Sequence, residues 1–237
     1  MLDPRPLWDF SDPAASEARF REALVGATGP DRDVLLTQVA RALGLQDRFA
    51  DALALLESIA SDDPEVRVRV LLERGRVLRT SGDDDAAGPV FEATVTTADE
   101  AGLETLAVDA MHMVALTRSG QDQVAATQAA LDRARRSSDP GARSWTASLL
   151  NNLGMAYSEV GDWTQARAAF EEALAERRLG TDDEAVHVAR WMVAWALRNL
   201  GLRDEALAQQ RALQADLRAA GLDDPYVAEE IEILERD

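Results

Sequence analysis

Residues 151–174 read NNLGMAYSEVGDWTQARAAFEEAL, and this stretch decides the fold of the chain. On both sides of Gly161, apolar or small residues recur every three or four positions, which is the spacing of two amphipathic helices joined by a tight turn. Similar stretches recur along the sequence. Their turn glycines are Gly82, Gly120, Gly161 and Gly201, and their small helix residues are Ala52, Ala87, Ala125, Ala166 and Ala206, spaced 35, 38, 41 and 40 residues apart.

The order Leu153, Gly154, Tyr157, Gly161, Ala166, Phe170 and Ala173 resembles the tetratricopeptide repeat (TPR), and the resemblance extends over nearly all of the chain. It implies an all-α fold, a right-handed α-solenoid of about five TPR-like helix hairpins. In such a fold the first (A) helix of each hairpin lines a concave groove. The segments AMHM, SLLNNLG and ARWMVAWALRNLG are also similar to bacterial TPR proteins of unassigned function.

The repeat spacing predicts five pairs of A and B helices. They lie near 31–45 and 48–60, 65–81 and 84–101, 103–119 and 121–137, 142–160 and 163–179, and 183–200 and 203–220. The third copy is the weakest, with Met113 in place of the close-contact glycine and Ala129 in place of the large B-helix residue. The fifth copy has Ala194 and Gln210 at these two positions.

Both ends of the chain are expected to cover the repeats, giving one continuous domain. Asp12-Pro13 and Asp224-Pro225 are typical helix starts, an N-cap followed by proline at the first helical position. We expect an arm and a lone capping helix in residues 1–30, repeats in 31–223 and a capping helix in 224–237. Leu2–Ser11 is expected to be irregular, with Trp8 and Phe10 either packed on the first helices or exposed as a docking arm.

The composition argues against several classes of protein. The formal net charge is −18, which disfavours nucleic-acid binding because an acidic chain repels phosphates. There is no cysteine, so disulfides and thiolate metal sites are excluded. All 25 basic residues are arginine, as a high-GC genome would give. With neither a signal peptide nor a membrane span in the sequence, we expect a cytoplasmic protein.

No catalytic, cofactor or metal motif is present, so the chain is expected not to be an enzyme. The two histidines, His112 and His187, lie in different copies, and Asp109 is placed to accept a hydrogen bond from His112. The acidic runs DDDAA (83–87) and TDDEA (181–185) stand where helices begin, so we interpret them as helix caps rather than cation sites.

Helical spacing applied to each A helix predicts a groove stripe of 19 positions with five arginines and no acid. The composition alone predicts about three acids there. A locally positive groove is therefore expected, unless Glu73, Glu159 and neighbouring acids pair the arginines. Trp191 and Trp195 are either groove residues or core beneath the last helix. The candidate partner-binding residues are Arg41, Arg69, Arg76, Arg79, Asn151, Met155, Trp191, Trp195 and Arg198.

These observations favour a non-enzymatic scaffold or adaptor that binds a protein or peptide in its concave groove. An acidic or carboxylate-bearing segment would suit the arginines. Two alternatives remain open. One is a homo-oligomeric structural module, and the other is a sensor of a small anion or metabolite bound near Trp191 and His112. The sequence does not reproduce the Lys and Asn clamp by which some TPR proteins hold a C-terminal carboxylate.

Overall fold

A computed structural model describes residues 2–236, and these residues form helices and no strand. The predicted all-α helical repeat is confirmed. The helices are α1 (Pro13–Ala23), α2 (Gly29–Gly44), α3 (Phe49–Glu57), α4 (Pro64–Thr80), α5 (Asp84–Glu100), α6 (Glu104–Leu116), α7 (Gly120–Arg136), α8 (Pro140–Arg143), α9 (Thr146–Glu159), α10 (Trp163–Arg177), α11 (Asp183–Asn199), α12 (Arg203–Ala219) and α13 (Pro225–Arg236). Short 3-10 turns occur at Arg5–Leu7 and Leu24–Gly26.

Glycines and aspartates set most of the helix boundaries. Gly82, Gly161 and Gly201 have φ of 89°, 79° and 77°, a conformation that glycine adopts without steric cost, and each ends an A helix. Asp83 and Asp182 then accept the backbone N–H of the third residue that follows, satisfying one of the free donors at a helix start. The interpretation of the two acidic runs as helix caps is confirmed.

The chain forms two compact units. The first contains residues 2–118 together with Ser137–Ala142, and the second contains Ser119–Arg136 and residues 143–236. The boundary falls between α6 and α7, the two helices that the sequence predicts as the third hairpin, so these helices belong to different units.

In the first unit, each helix from α1 to α6 packs on its neighbour in the chain, and α2 also packs on α4. One group of buried side chains surrounds Phe20 and another surrounds Phe91. In the second unit, α7 packs on α9, and α9 to α13 pack in succession. Phe170 is fully buried in the core of this unit.

A glycine and a phenylalanine interlock within one hairpin of each unit. A Cβ on Gly75 would overlap the ring of Phe91, and a Cβ on Gly154 would overlap the ring of Phe170. Gly154 and Ala166 are both buried in the hairpin of the second unit. Gln210, at the corresponding position of the fifth copy, is fully buried, and within residues 2–236 neither the nitrogen nor the oxygen of its amide has a hydrogen-bond partner.

The predicted register of α7 is wrong. Ala125 and Ala129 are exposed, whereas Thr127 and Leu131, two positions further on, are buried. The physical reason is the turn. α7 begins at Gly120 itself, whereas the corresponding B helices α5, α10 and α12 begin two residues after their turn glycine. The predicted helix 142–160 is also divided, into α8 and α9.

Candidate functional site

Four of the five predicted groove arginines lie in the first unit, and a carboxylate lies within 4.0 Å of each. The pairs are Arg41–Glu73 at 4.0 Å, Arg69–Glu65 at 2.8 Å, Arg76–Glu73 at 2.6 Å, Arg76–Asp109 at 2.5 Å and Arg79–Asp84 at 3.7 Å. The expectation of a locally positive groove is wrong in this unit, because nearby acids neutralise the arginines. That these residues bind a partner stays a prediction.

Two well-buried ion pairs meet at Arg76, one within α4 to Glu73 and one from α4 to Asp109 on α6. Only 2% of the Glu73 side chain, 11% of Arg76 and 12% of Asp109 are exposed. Burial opposes the charged form of Arg76, but the carboxylates of Asp109 and Glu73 outweigh it and raise the pKa of the guanidinium. Oε1 of Glu73 accepts a hydrogen bond from Arg76, whereas its buried Oε2 has no hydrogen-bond partner among the described residues.

His112 is one helical turn from Asp109. Burial, together with the charges of Arg76 and Arg79, lowers the pKa of His112 to about 4 against the opposing charge of Asp109. The imidazole is therefore neutral at pH 7. The hydrogen bond from His112 to Asp109 stays a prediction.

The N-terminal arm, Leu2–Ser11, packs against the first helices. The rings of Trp8 and Phe10 stack with centroids 4.7 Å apart, and Trp8 also meets Phe20 edge-on at 5.0 Å. The guanidinium carbon of Arg41 lies 5.3 Å from the Trp8 centroid and 5.1 Å from the Phe10 centroid, within the range of a cation–π contact. Trp8 Nε1 donates a hydrogen bond of 2.9 Å to Gln38 Oε1.

Further hydrogen bonds hold both ends of the arm. The backbone N–H of Leu2 donates to Asp31 Oδ1 at 2.8 Å, and Arg19 Nε donates to the carbonyl oxygen of Leu7 at 2.8 Å. Of the two alternatives for Trp8 and Phe10, packing on the first helices is therefore confirmed, although 59% of Phe10 is exposed. The arm covers Arg41, one of the predicted groove residues.

In the second unit, the predicted groove residues of α11 serve mainly to pack α13 and α10. Arg198 Nε lies 2.5 Å from Glu230 Oε1, and 4% of the Glu230 side chain is exposed. Trp191 stacks on Trp195 at 6.0 Å and donates from Nε1 to the carbonyl oxygen of Tyr226 at 3.3 Å. The arginine is thus neutralised by α13, contrary to the expectation of a positive groove.

The second tryptophan and Met155 pack in the core between α9, α10 and α11. Trp195 meets Trp163 edge-on at 4.8 Å and Phe170 at 6.3 Å, and Met155 packs against the same cluster. The structure therefore favours the core interpretation of Trp191 and Trp195 over the ligand-facing one. Their role in binding a partner stays a prediction.

Asn151, by contrast, lines an open pocket of about 340 Å³ in the second unit. Arg177 and Val188 line it too, and 54% of Val188 is exposed. Arg177 Nη2 donates to Ser148 Oγ at 3.0 Å. Within residues 2–236, no carboxylate forms an ion pair with Arg177.

The same pocket also has acceptors, since Asp182 and Glu184 line it as well. One oxygen of Asp182 caps α11 through the N–H of Ala185. Sequence reasoning predicted Asn151 but missed Arg177, because Arg177 lies on a B helix and the groove stripe was drawn on A helices. Its place in the last turn of α10, one turn beyond Ala173, was the available signal.

Two kinds of site are absent from the described part of the chain. Residues 2–236 contain no group of three or more histidine and acidic side chains that could hold a metal ion. They also contain no helix long and apolar enough to cross a membrane.

Residues 145–223, which contain α9 to α12 and the Gly154–Phe170 interlock, match the family model of the tetratricopeptide repeat. This part of the chain is therefore similar to tetratricopeptide repeats. No curated protein matches it in sequence. The solved structures it resembles include TPR-like repeats of a putative kinesin light chain from Podosopora anserina, with 21% identity over 80% of this chain and 98% of that chain and a TM-score of 0.61.

Two further structures have the same fold at lower identity. BtubC (BKLC) from P. vanneervenii has 17% identity over 95% of both chains and a TM-score of 0.64. A Rap protein complexed with competence and sporulation factor has 15% identity over 91% of this chain and 62% of that chain, also with a TM-score of 0.64. At these identities the likeness extends the TPR fold beyond residues 145–223.

Proposed function

We propose that the chain is a non-enzymatic scaffold that binds a segment of a partner protein in the pocket lined by Asn151, Arg177 and Val188. The observation that carries this proposal is the state of Arg177. Its guanidinium lines an open pocket and has no ion pair within the described residues, whereas the predicted groove arginines of both units are paired. The TPR match over this region and the Rap protein complex are consistent with such a role.

The pocket suits an extended peptide better than a simple anion. Asn151 and Arg177 offer donors, whereas Asp182 and Glu184 offer acceptors. A peptide backbone presents both carbonyl oxygens and N–H groups, so it can pair with both the donors and the acceptors of the pocket. The exposed face of Val188 supplies an apolar contact for one side chain. The proposed partner segment therefore places a carboxylate or carbonyl group on Arg177 and is not acidic throughout.

A selection from a random peptide library, made with the full chain, tests this proposal. Selected peptides should bind the Asn151→Ala and Arg177→Ala variants about tenfold or more weakly, because one charge-assisted hydrogen bond contributes about 1.5–3 kcal/mol. The matched control is Arg178→Ala, since Arg178 is the exposed neighbour outside this pocket.

Equal binding to all variants would place the site elsewhere. A dimer in light scattering with no selected peptide would favour the homo-oligomeric module, and a thermal shift with a small anion alone would favour the sensor. A cytoplasmic location and a bacterial origin stay predictions from the sequence.

A further inference from the structure

The N-terminal arm runs alongside α2 in the same direction as that helix. Leu2 donates a hydrogen bond to Asp31, Trp8 donates one to Gln38, and the ring of Phe10 lies against Arg41. The contact points thus advance along both segments together. The arm also comes close to α4. The pKa of Asp3 is lowered chiefly by hydrogen bonds from Arg5, and the charge of Arg69 contributes to the decrease. The arm therefore occupies the face on which the sequence placed a groove.

Side-chain contacts hold the arm on α2. Within residues 2–236, no backbone–backbone hydrogen bond joins Leu2–Ser11 to α2, and the backbone bonds of the arm close its own turns. The polar and aromatic contacts with α2 are the Asp31 and Gln38 hydrogen bonds and the contact with Arg41, and Leu7 and Trp8 also pack against the apolar cluster around Phe20. Departure of the arm therefore breaks side-chain hydrogen bonds, including those of Ser16 and Arg19 on α1, but no backbone hydrogen bond within a helix.

Arg41 has two competing partners. One partner is the pair of aromatic rings of Trp8 and Phe10, and the other is the carboxylate of Glu73. Arg41 Nε lies 4.0 Å from Glu73 Oε2. That distance is too long for a hydrogen bond, and Oε2 is buried with no other partner. When the arm leaves, a small movement of Arg41 would complete this hydrogen bond, which compensates in part for the lost aromatic contacts.

We propose that the arm is a built-in ligand of the α2 face. A partner segment that carries two aromatic side chains separated by one residue, as Trp8 and Phe10 are, displaces it. The proposal deepens the proposed function, on which it rests, by adding a second binding surface and its regulation. The α2 face defines the partner. Gln38 Oε1 accepts a hydrogen bond from an indole N–H, and the Arg41 guanidinium lies within cation–π distance of both rings. The occupied state is autoinhibited toward such a segment.

The test uses the full chain and a labelled peptide of residues 1–12, MLDPRPLWDFSD, with the label at its C-terminus. The peptide should bind the Trp8→Ala/Phe10→Ala double variant at least about tenfold more tightly than it binds the wild type, because the wild-type surface is already occupied. Adding Arg41→Gln to the double variant should abolish this gain. The same peptide with alanine at both aromatic positions should not bind.

The matched control is Val25→Ala, which removes an exposed apolar side chain from the same unit and should leave binding at the wild-type level. Equal affinity for the wild type and the double variant would overturn the proposal, as would no binding to a folded double variant. Loss of the helical circular dichroism in the double variant would overturn it too, because the arm would then be an indispensable part of the core. Failure of the proposed function is distinguishable, since it is measured with library peptides at Asn151 and Arg177.

Discussion

At the scale of single residues, the interlock of Gly154 with Phe170 shows why one position of a repeat needs glycine. Gly154→Ala should destabilise the chain by about 1–3 kcal/mol, because its Cβ would overlap the buried Phe170 ring. Helix propensity alone predicts the opposite sign, a gain of up to about 1 kcal/mol. Urea unfolding measures the change. Gly26→Ala is the control, since a Cβ there meets no atom within 4 Å, and a loss of similar size in both variants would argue against the interlock.

At Gln210, by contrast, a substitution is expected to increase the stability of the chain. Replacing its buried amide by the thioether of Gln210→Met should stabilise the chain by about 1–3 kcal/mol, because it removes two polar atoms that lack hydrogen bonds. The exposed neighbour provides the control, and Gln209→Met should be close to neutral. A lower urea midpoint for Gln210→Met would mean that the amide is satisfied in solution, for example by a buried water molecule.

His112 gives the stability of the chain a pH dependence. Its pKa is about 4 in the folded chain and 6.5 in the unfolded chain, so the unfolded state binds the proton first as the pH falls. The resulting stability is present above pH 6.5 and is lost as the pH falls toward 4, by about 3 kcal/mol in all. In His112→Asn this part of the decrease should disappear from denaturant unfolding measured between pH 4 and 7. A His187→Gln variant should keep it, and identical profiles for the wild type and His112→Asn would contradict the assignment.

At the scale of helices, Arg76 joins α4 to α6 by its bond to Asp109 and also pairs with Glu73 on its own helix. Arg76→Met should cost on the order of 3–5 kcal/mol, because it leaves two buried carboxylates without their cation. Arg74→Met, on the exposed side of the same helix, should change stability by less than about 0.5 kcal/mol. Thermal and urea unfolding of both variants measure these changes in stability. A small loss for Arg76→Met would indicate that this arginine is available to bind a ligand.

The sequence predicts the helices well and the ion pairs poorly, for physical reasons. A turn glycine and an N-cap aspartate act within a few residues, so they define α5 and α10 almost to the residue. The partners of Arg76 and Arg198 lie 33 and 32 residues away on other helices, and helical spacing gives a face but not the side chain opposite it. The arm lacks any periodic pattern, so its position on α2 could not be predicted.

At the scale of the whole molecule, the charge of −18 bears on the class of partner. The chain should not retain a DNA duplex at protein concentrations up to about 100 µM, because 43 acidic residues against 25 basic ones repel the phosphates and the groove arginines are paired. A mobility-shift assay at about 50 mM salt is the stricter test, since phosphate contacts strengthen as salt falls. Retention at low salt that disappears in Arg177→Ala would show that one uncompensated cation suffices.

The glycine–phenylalanine interlock also constrains how the chain can evolve. In both units the two residues are 16 positions apart, Gly75 with Phe91 and Gly154 with Phe170. Neither can change alone, since a larger residue at the first position needs a different side chain at the second. The fifth copy shows such a joint change, with Ala194 and Gln210 at the same separation. Divergence of these repeats therefore proceeds by paired substitutions, and a hairpin exchanged between repeats has to carry both residues with it.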